Sequence, residues 1–208
     1  GFQIPFTMGF KQFFDFASHP HWSLSTLLRG VPRVMNFATT KHAQGFVRNE
    51  SRGNTDWAFL DALRRRWQGK LIVKGVLAPA DAVRIRDAGV DAVYVSNHGA
   101  RQLDSVMPAI AALPRIRAAV GSDYPLIFDS GIRNGEDVVK ALALGADFAM
   151  LGRPLMYAIG AEGERGLATL VDIISEEISV TLAQLGYTNI EDIDSSVIAG
   201  LSQATDNH

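Results

Sequence analysis

"GVLAPADAVRIRDAGVDAVYV", residues 75–95, can be laid without a gap over "GIRNGEDVVKALALGADFAML", residues 131–151. Gly75 meets Gly131, Asp81 meets Asp137, Gly89 meets Gly145 and Asp91 meets Asp147. Each copy reads as a turn, a helical pattern, a Gly-x-Asp break and an apolar strand, so the chain repeats a strand–helix unit. Apolar runs at 71–73, 92–95, 126–128 and 148–151 suit buried parallel strands. Helix starts are signalled at 79–81 and 134–137, where acidic side chains favour a first turn. Strand and helix in alternation predict a parallel sheet with right-handed crossovers.

A (β/α)8 barrel and a doubly wound sheet both satisfy that alternation. The strand ends decide between them. Lys74 follows the first run, Ser96 to His98 the second, Asp129 the third, and Gly152 with Arg153 the fourth. A barrel collects such groups from several strands around one site on its C-terminal rim. The expected fold class is therefore α/β, a (β/α)8 barrel of which these runs supply half.

The sharpest stretch is "SNHGARQLD", residues 96–104. A lone histidine is more often a satisfied structural side chain. Here Arg101 stands three places after His98 at a strand end. Arginine clamps a carboxylate in a bidentate grip, and histidine exchanges a proton near neutral pH with the adjacent carbon or its hydroxyl. Lys74 reads either as a lysine reaching for solvent or as a cation facing an electron-rich ring or a developing anion. "DSGIR" (129–133) and "GRP" (152–154) read singly as ordinary turns. Paired at strand ends, their glycines, arginines and following helix N-termini favour a phosphate.

Composition bounds the alternatives. The 208 residues are 47% hydrophobic with a formal net charge of -2, enough apolar material for one ordinary core. No run of lysine or arginine provides a footprint for nucleic acid. Without cysteine there is no disulfide framework, thiolate nucleophile or thiolate metal site. His19 and His21, flanking Pro20 with no further ligands, read as structural, so no metal is expected. No run approaches the ~18 apolar residues of a spanning helix. The chain starts on Gly1 rather than Met, as a piece of a longer chain would. Residues 57–67 and 167–185 read as helices, the latter amphipathic and packing on the outside.

"SNHGARQLD", with "IVKG" before it and "DSGIRNGEDVVKALALGAD" and "LGRP" after it, resembles the FMN-dependent L-2-hydroxy-acid oxidase and dehydrogenase family. "GFQIP", "HPHWSL" and "RGVPRVMNF" are most similar to its (S)-mandelate dehydrogenase branch, with bacterial L-lactate dehydrogenases next. The resemblance implies strands 5 to 8 of a barrel plus the long loop after strand 4. It also implies one domain portion over 1–208, with an extended loop region carrying short helices at 1–53, βα units at 54–161 and a C-terminal helix and tail at 162–208. It implies an FMN cofactor and oxidation of an L-2-hydroxy acid, (S)-mandelate or a similar aromatic one, to the 2-keto acid. The alternatives are an L-lactate dehydrogenase or 2-hydroxy-acid oxidase of the same family, or an inactive half-barrel module.

Residue by residue, the resemblance makes His98 the base, by hydroxyl-proton removal with hydride transfer or by α-proton removal through a carbanion. Arg101 binds the substrate carboxylate and Lys74 faces the flavin. Ser96 and Asp129 bond the flavin or its ribityl chain, and Ser130, Gly131, Ile132, Arg133, Gly152 and Arg153 cradle its phosphate. The N-terminal half is expected as a separate or nicked chain supplying the remaining contacts. A homo-oligomer, typically a tetramer, is expected too. Phe10, Lys11, Phe13, Phe14, Phe16, Trp22, Arg29 and Arg33 suit a membrane surface. The resemblance implies a cytoplasmic protein, with this loop either peripheral on the inner face of the cytoplasmic membrane or packed on its own barrel or a neighbouring subunit, and oxygen or a membrane quinone as final acceptor.

Overall fold

Ile72, Val73 and Lys74 pair with Ala92, Val93 and Tyr94, and Val93 to Val95 pair in turn with Leu126 to Phe128. Ile127 and Phe128 then pair with Phe148 and Ala149, so four parallel strands lie in chain order: β1 (Ile72–Val76), β2 (Ala92–Val95), β3 (Leu126–Phe128) and β4 (Phe148–Ala149). The computed structural model describes residues 9–30 and 56–198. Contacts divide the chain into two units, Gly1–Asp56 and Trp57–His208.

In the second unit, helix α3 (Trp57–Arg66) precedes β1, α4 (Pro79–Asp87) and α5 (Ala109–Val120) precede β2 and β3, and α6 (Gly135–Ala143) precedes β4. Helix α7 (Arg153–Leu185) follows. Pro79 opens α4 at a position needing no N–H donor, and the Asn134 side chain accepts from Asp137 N–H to cap α6. Period-two alternation sorts the strands: Val93, Val95, Leu126 and Phe128 are fully buried against the helices. The opposite face carries Lys74 and Tyr94, with Ile72 still 47% and Phe148 59% exposed.

The strand expected at 71–73 runs instead over Ile72–Val76, because a bulge at Gly75 (φ 97°) shifts the register after Lys74. Lys74, before the extra residue, lies opposite Tyr94 on the open face, and the extra residue turns Val76 into the core beside Val95. The run at 148–151 is strand only over Phe148–Ala149. The terminal helix begins much earlier than residue 167. It spans Arg153–Leu185 and breaks at Glu162 and Gly163 (φ 61°, ψ -130°), which bends it so sharply that a Cβ on Gly166 would stand 2.1 Å from the Ala158 carbonyl oxygen.

The repeated Gly-x-Asp has a structural purpose. Asp91 Oδ2 accepts the Leu71 N–H at 2.9 Å, and Arg64 reaches Gly89 O (3.4 Å) and Asp91 Oδ2 (3.1 Å). In the second copy Asp147 Oδ2 accepts the Leu126 N–H at 2.7 Å, and Arg117 reaches Gly145 O (2.8 Å) and Asp147 Oδ2 (2.6 Å). Each clamp ties two adjacent strands at their N-terminal ends, opposite the rim that carries the candidate chemistry. The Lys70 ammonium and the Leu71 N–H hold the Asp91 carboxyl down at about 2, so this clamp stays ionised in all but strong acid.

The first unit holds α1 (Phe10–Ser18) and α2 (Pro20–Arg29), separated by His19 with Pro20 opening the second helix. Ser23 Oγ donates to Phe16 O at 2.7 Å and the Phe16 and Trp22 rings stack at 5.2 Å, which sets the two helices against each other. Phe10 and Phe14 remain 89% and 69% exposed. Arg33 and the other residues of 31–55 lie outside the described residues.

Candidate active site

The C-terminal ends of β1, β2 and β3 are joined by one polar network. Lys74 Nζ donates to the Asp129 carboxylate and to Ser96 Oγ (3.1 Å), and lies 3.4 Å above the Tyr94 ring. The Tyr94 hydroxyl donates to Asp129 Oδ2 at 3.0 Å, and Ser130 Oγ donates to Asp129 Oδ1 at 2.8 Å. Burial alone would raise the Asp129 pKa, but the bonds from Lys74, Ser96 and Ser130 outweigh it and hold the carboxyl below its ordinary range. Burial, and then the Asp129 charge, pushes the Tyr94 phenol well above its usual range, so it stays a neutral donor.

His98 sits on a turn that regular backbone does not form. Gly99 (φ 67°) is flanked by His98 (φ 57°) and Ala100 (φ 59°), two residues with a Cβ in the left-handed region. Such strain persists where the surroundings over-determine it. Ser96 Oγ accepts the His98 N–H (3.1 Å), Ser130 Oγ accepts those of Asn97 (3.2 Å) and Gly99 (3.3 Å), and Asn97 Oδ1 accepts that of Ala100 (3.2 Å). The backbone N–H of Arg101 closes the turn on His98 O at 3.4 Å. Both the imidazole and the guanidinium of these two residues are exposed, with no hydrogen-bond partner for either side chain among the described residues.

Arg153 reaches the same turn from the end of β4: its Nη2 lies 3.6 Å from where a Cβ on Gly99 would stand. The two nearby helix N-termini differ. That of α6 is filled, since Gly135 N–H donates to Glu177 Oε2 (2.7 Å), Asp137 N–H to Asn134 Oδ1 (2.8 Å) and Arg133 N–H to Asp137 Oδ2 (2.9 Å). That of α7 starts at Gly152 with no side-chain cap and puts Arg153 at its first position. An added Cβ on Gly131 or Gly152 would meet nothing within 4 Å, so the backbone there is open to approach. Ile132 is buried, and Arg133 is turned back by a bond from its Nη1 to Ile132 O (2.9 Å). Lys74, Ser96, Asp129 and Ser130 are thus in mutual contact. Contacts between the Arg133 side chain and that group are absent among the described residues.

Three residues of this arrangement escaped sequence reasoning. Tyr94 was an apolar strand residue by pattern, and only the register opposite Lys74 marks it. Asn97 carries a turn-capping signal that its place in "SNHG" conceals. Glu177 has no local signal, because its partner Gly135 is remote in sequence.

Known proteins with the same pattern bear on what such a rim does. The model of the FMN-dependent dehydrogenase family matches residues 1–200. This chain belongs to that family. Its members have a (β/α)8 barrel fold and depend on FMN. An L-lactate dehydrogenase of Pseudomonas syringae pv. syringae is 43% identical over 187 residues, 86% of this chain and 49% of its own length. An L-lactate dehydrogenase of Haemophilus influenzae is 38% identical over 194 residues, 89% of this chain and 51% of its own. The solved structure of the monotopic membrane protein (S)-mandelate dehydrogenase superposes with a TM-score of 0.84 at 37% identity, covering 93% of this chain and 53% of that one. The chain spans about half the length of the curated relatives it matches.

For a member of the FMN-dependent dehydrogenases the donor set fits the cofactor. A phosphate finds an uncapped helix N-terminus, an arginine and two unobstructed glycines around Gly131, Gly152 and Arg153. A polar ring edge finds an ammonium in Lys74, with Ser96 and Asp129 beside it.

Proposed function

We propose that this chain is the C-terminal half, strands 5 to 8, of an FMN-dependent dehydrogenase that oxidises an L-2-hydroxy acid to the 2-keto acid. The observation that carries this reading is the network joining Lys74, Ser96, Asp129 and Ser130 to the His98 turn.

Arg101 grips the substrate carboxylate, which fixes the 2-hydroxyl and its carbon beside His98. His98 Nε2 or Nδ1 takes a proton, from the hydroxyl or from the carbon. Either choice develops negative charge, which the Arg101 and Lys74 cations stabilise. When bound, FMN supplies the two-electron acceptor for the C–H bond that is lost. Lys74 and Ser96 hold the polar edge of its ring and Asp129 its ribityl chain. Backbone groups of Ser130, Gly131, Ile132 and Gly152, with Arg133 and Arg153, receive its phosphate. The exposed, apolar face of the sheet closes against a complementary N-terminal half, since a parallel sheet is stable only when both faces are covered. The assembled protein is a homo-oligomer, a tetramer by the resemblance, whose mass is read by sedimentation.

The domain map keeps residues 1–53 as a separate segment, 54–161 as βα units and 162–208 as the terminal helix and tail. The first segment rests on a membrane surface on the cytoplasmic side, supported by the exposed phenylalanines of α1 and by the monotopic character of the mandelate dehydrogenase relative. None of the described helices is long and apolar enough to cross a membrane.

Mandelate and lactate both have support, the first from the superposition and the second from the lactate dehydrogenases at 43% and 38% identity. The test is a visible spectrum of the assembled protein, followed anaerobically as (S)-mandelate and then L-lactate is added. Yellow colour that bleaches identifies FMN and the substrate together. A colourless protein, or colour that persists with both acids, overturns the reading.

A further inference from the structure

We propose that Ser130 is a positioning residue for His98: its hydroxyl locks the left-handed turn from Asn97 to Ala100 onto the end of β3. The proposal rests on the reading of His98 as the base.

The resemblance assigns Ser130 to a phosphate cradle, but its side chain is already committed. A serine hydroxyl has one proton and two lone pairs. The proton goes to Asp129 Oδ1 at 2.8 Å, and the lone pairs accept the Asn97 N–H at 3.2 Å and the Gly99 N–H at 3.3 Å. With Ser96 Oγ also 3.5 Å away, the hydroxyl is fully engaged within the protein, which leaves the Ser130 backbone for an anion. The bonds bracket His98, since one goes to the residue before it and one to the residue after it.

The direction of the Ser130 hydroxyl is not left to chance. Lys74 and Tyr94 both donate to the Asp129 carboxylate and keep it in place. Its charge draws the Ser130 proton, so the serine lone pairs must point at the turn. Ser130 itself sits at φ 83°, a costly conformation for a residue with a Cβ. Four residues at positive φ (His98, Gly99, Ala100 and Ser130) therefore meet at one contact between the ends of β2 and β3. Without the hydroxyl, two backbone N–H groups lose their partner and the strained turn loses its main tie to β3.

Two variants test this in the assembled FMN-containing protein: Ser130→Ala, and Ser130→Gly, which suits the φ and carries the test should the alanine variant not fold. Amide hydrogen exchange over residues 96–101 is expected to accelerate about tenfold or more. In protein saturated with FMN, kcat/KM for the hydroxy acid is expected to fall about tenfold, while the FMN dissociation constant stays within about twofold of the wild type. Unchanged exchange overturns the proposal. So does a tenfold weaker FMN affinity with unchanged kcat/KM at saturation, which would return the hydroxyl to the phosphate. Accelerated exchange with unaltered FMN affinity and unaltered kcat/KM would leave Ser130 holding the turn and remove His98 as the base, so the failure would belong to the functional reading.

Discussion

His98 and Arg101, like Arg153 across the same turn, have exposed side chains that are not consumed by hydrogen-bond partners among the described residues. Lys74, Tyr94, Asp129 and both serines are tied to one another. A group meant to meet a substrate is expected in the first condition, and a supporting group in the second. His98→Asn should therefore lower kcat by about two to four orders of magnitude with FMN content unchanged, as measured by steady-state kinetics on protein of known flavin absorbance. Arg101→Lys keeps the charge but loses the bidentate fork, and should raise KM and lower kcat/KM about tenfold. Equal effects on lactate and on a larger hydroxy acid would place Arg101 at the carboxylate they share. At this scale the identities of His98, Arg101, Lys74 and Asp129 were legible in the sequence, because residue chemistry at strand ends is local. The company they keep was not. The pairing of Lys74 with Tyr94 needs the register of two strands, which residues of either strand alone do not record.

Among the elements, α6 and α7 are bound by a close approach that only glycine permits. A Cβ on Gly135 would stand 2.5 Å from Ile178 N and 2.6 Å from Glu177 Cβ, against backbone that has no room to move. The same contact lets Glu177 accept the Gly135 N–H at 2.7 Å and occupy the α6 N-terminus. Gly135→Ala should thus cost at least about 2 kcal/mol, through overpacking and the loss of that bond, and should appear as a lower midpoint in a urea titration. An unchanged midpoint would mean that α7 can withdraw from α6. The repeat foretold the strand–helix order and the Gly-x-Asp breaks, and the Arg64–Asp91 and Arg117–Asp147 clamps explain why each break carries an aspartate. The helix boundary at Arg153 was missed for a physical reason. A helix that bends at Glu162 and Gly163 changes its buried face there, so the apolar period read from residue 167 onward does not continue back to its start.

At the scale of the molecule, two of the exposed apolar surfaces among the described residues call for cover of different kinds. The sheet face carrying Ile72 and Phe148 is covered in the proposed assembly by the second half of a barrel. The α1–α2 pair instead presents Phe10, Phe13, Phe14 and Leu27 beside Lys11 and Arg29, a composition suited to anionic lipid. Replacing Phe10, Phe13 and Phe14 together by Asp should lower the fraction that sediments with anionic phospholipid vesicles at least about tenfold, given about 2 kcal/mol for each buried phenylalanine. The flavin spectrum should stay as in the wild type. Sedimentation unaffected by the triple change would assign these rings to another surface.

By itself the sequence determined the alternation of strand and helix and the rim on which the candidate residues gather, and its motifs carried the resemblance to the family. The alternation and the rim follow from period, turn residues and side-chain chemistry within short windows. Only the tertiary structure decided what holds the His98 turn, which helix N-terminus stays open to an anion and where the last helix begins. Each of those depends on a bond or contact between residues far apart in the chain: Ser130 with Gly99, Glu177 with Gly135 and Gly166 with Ala158 across the bend. No local pattern records such partners, because a hydroxyl, a carboxylate or a glycine reads the same in sequence whatever the fold brings against it.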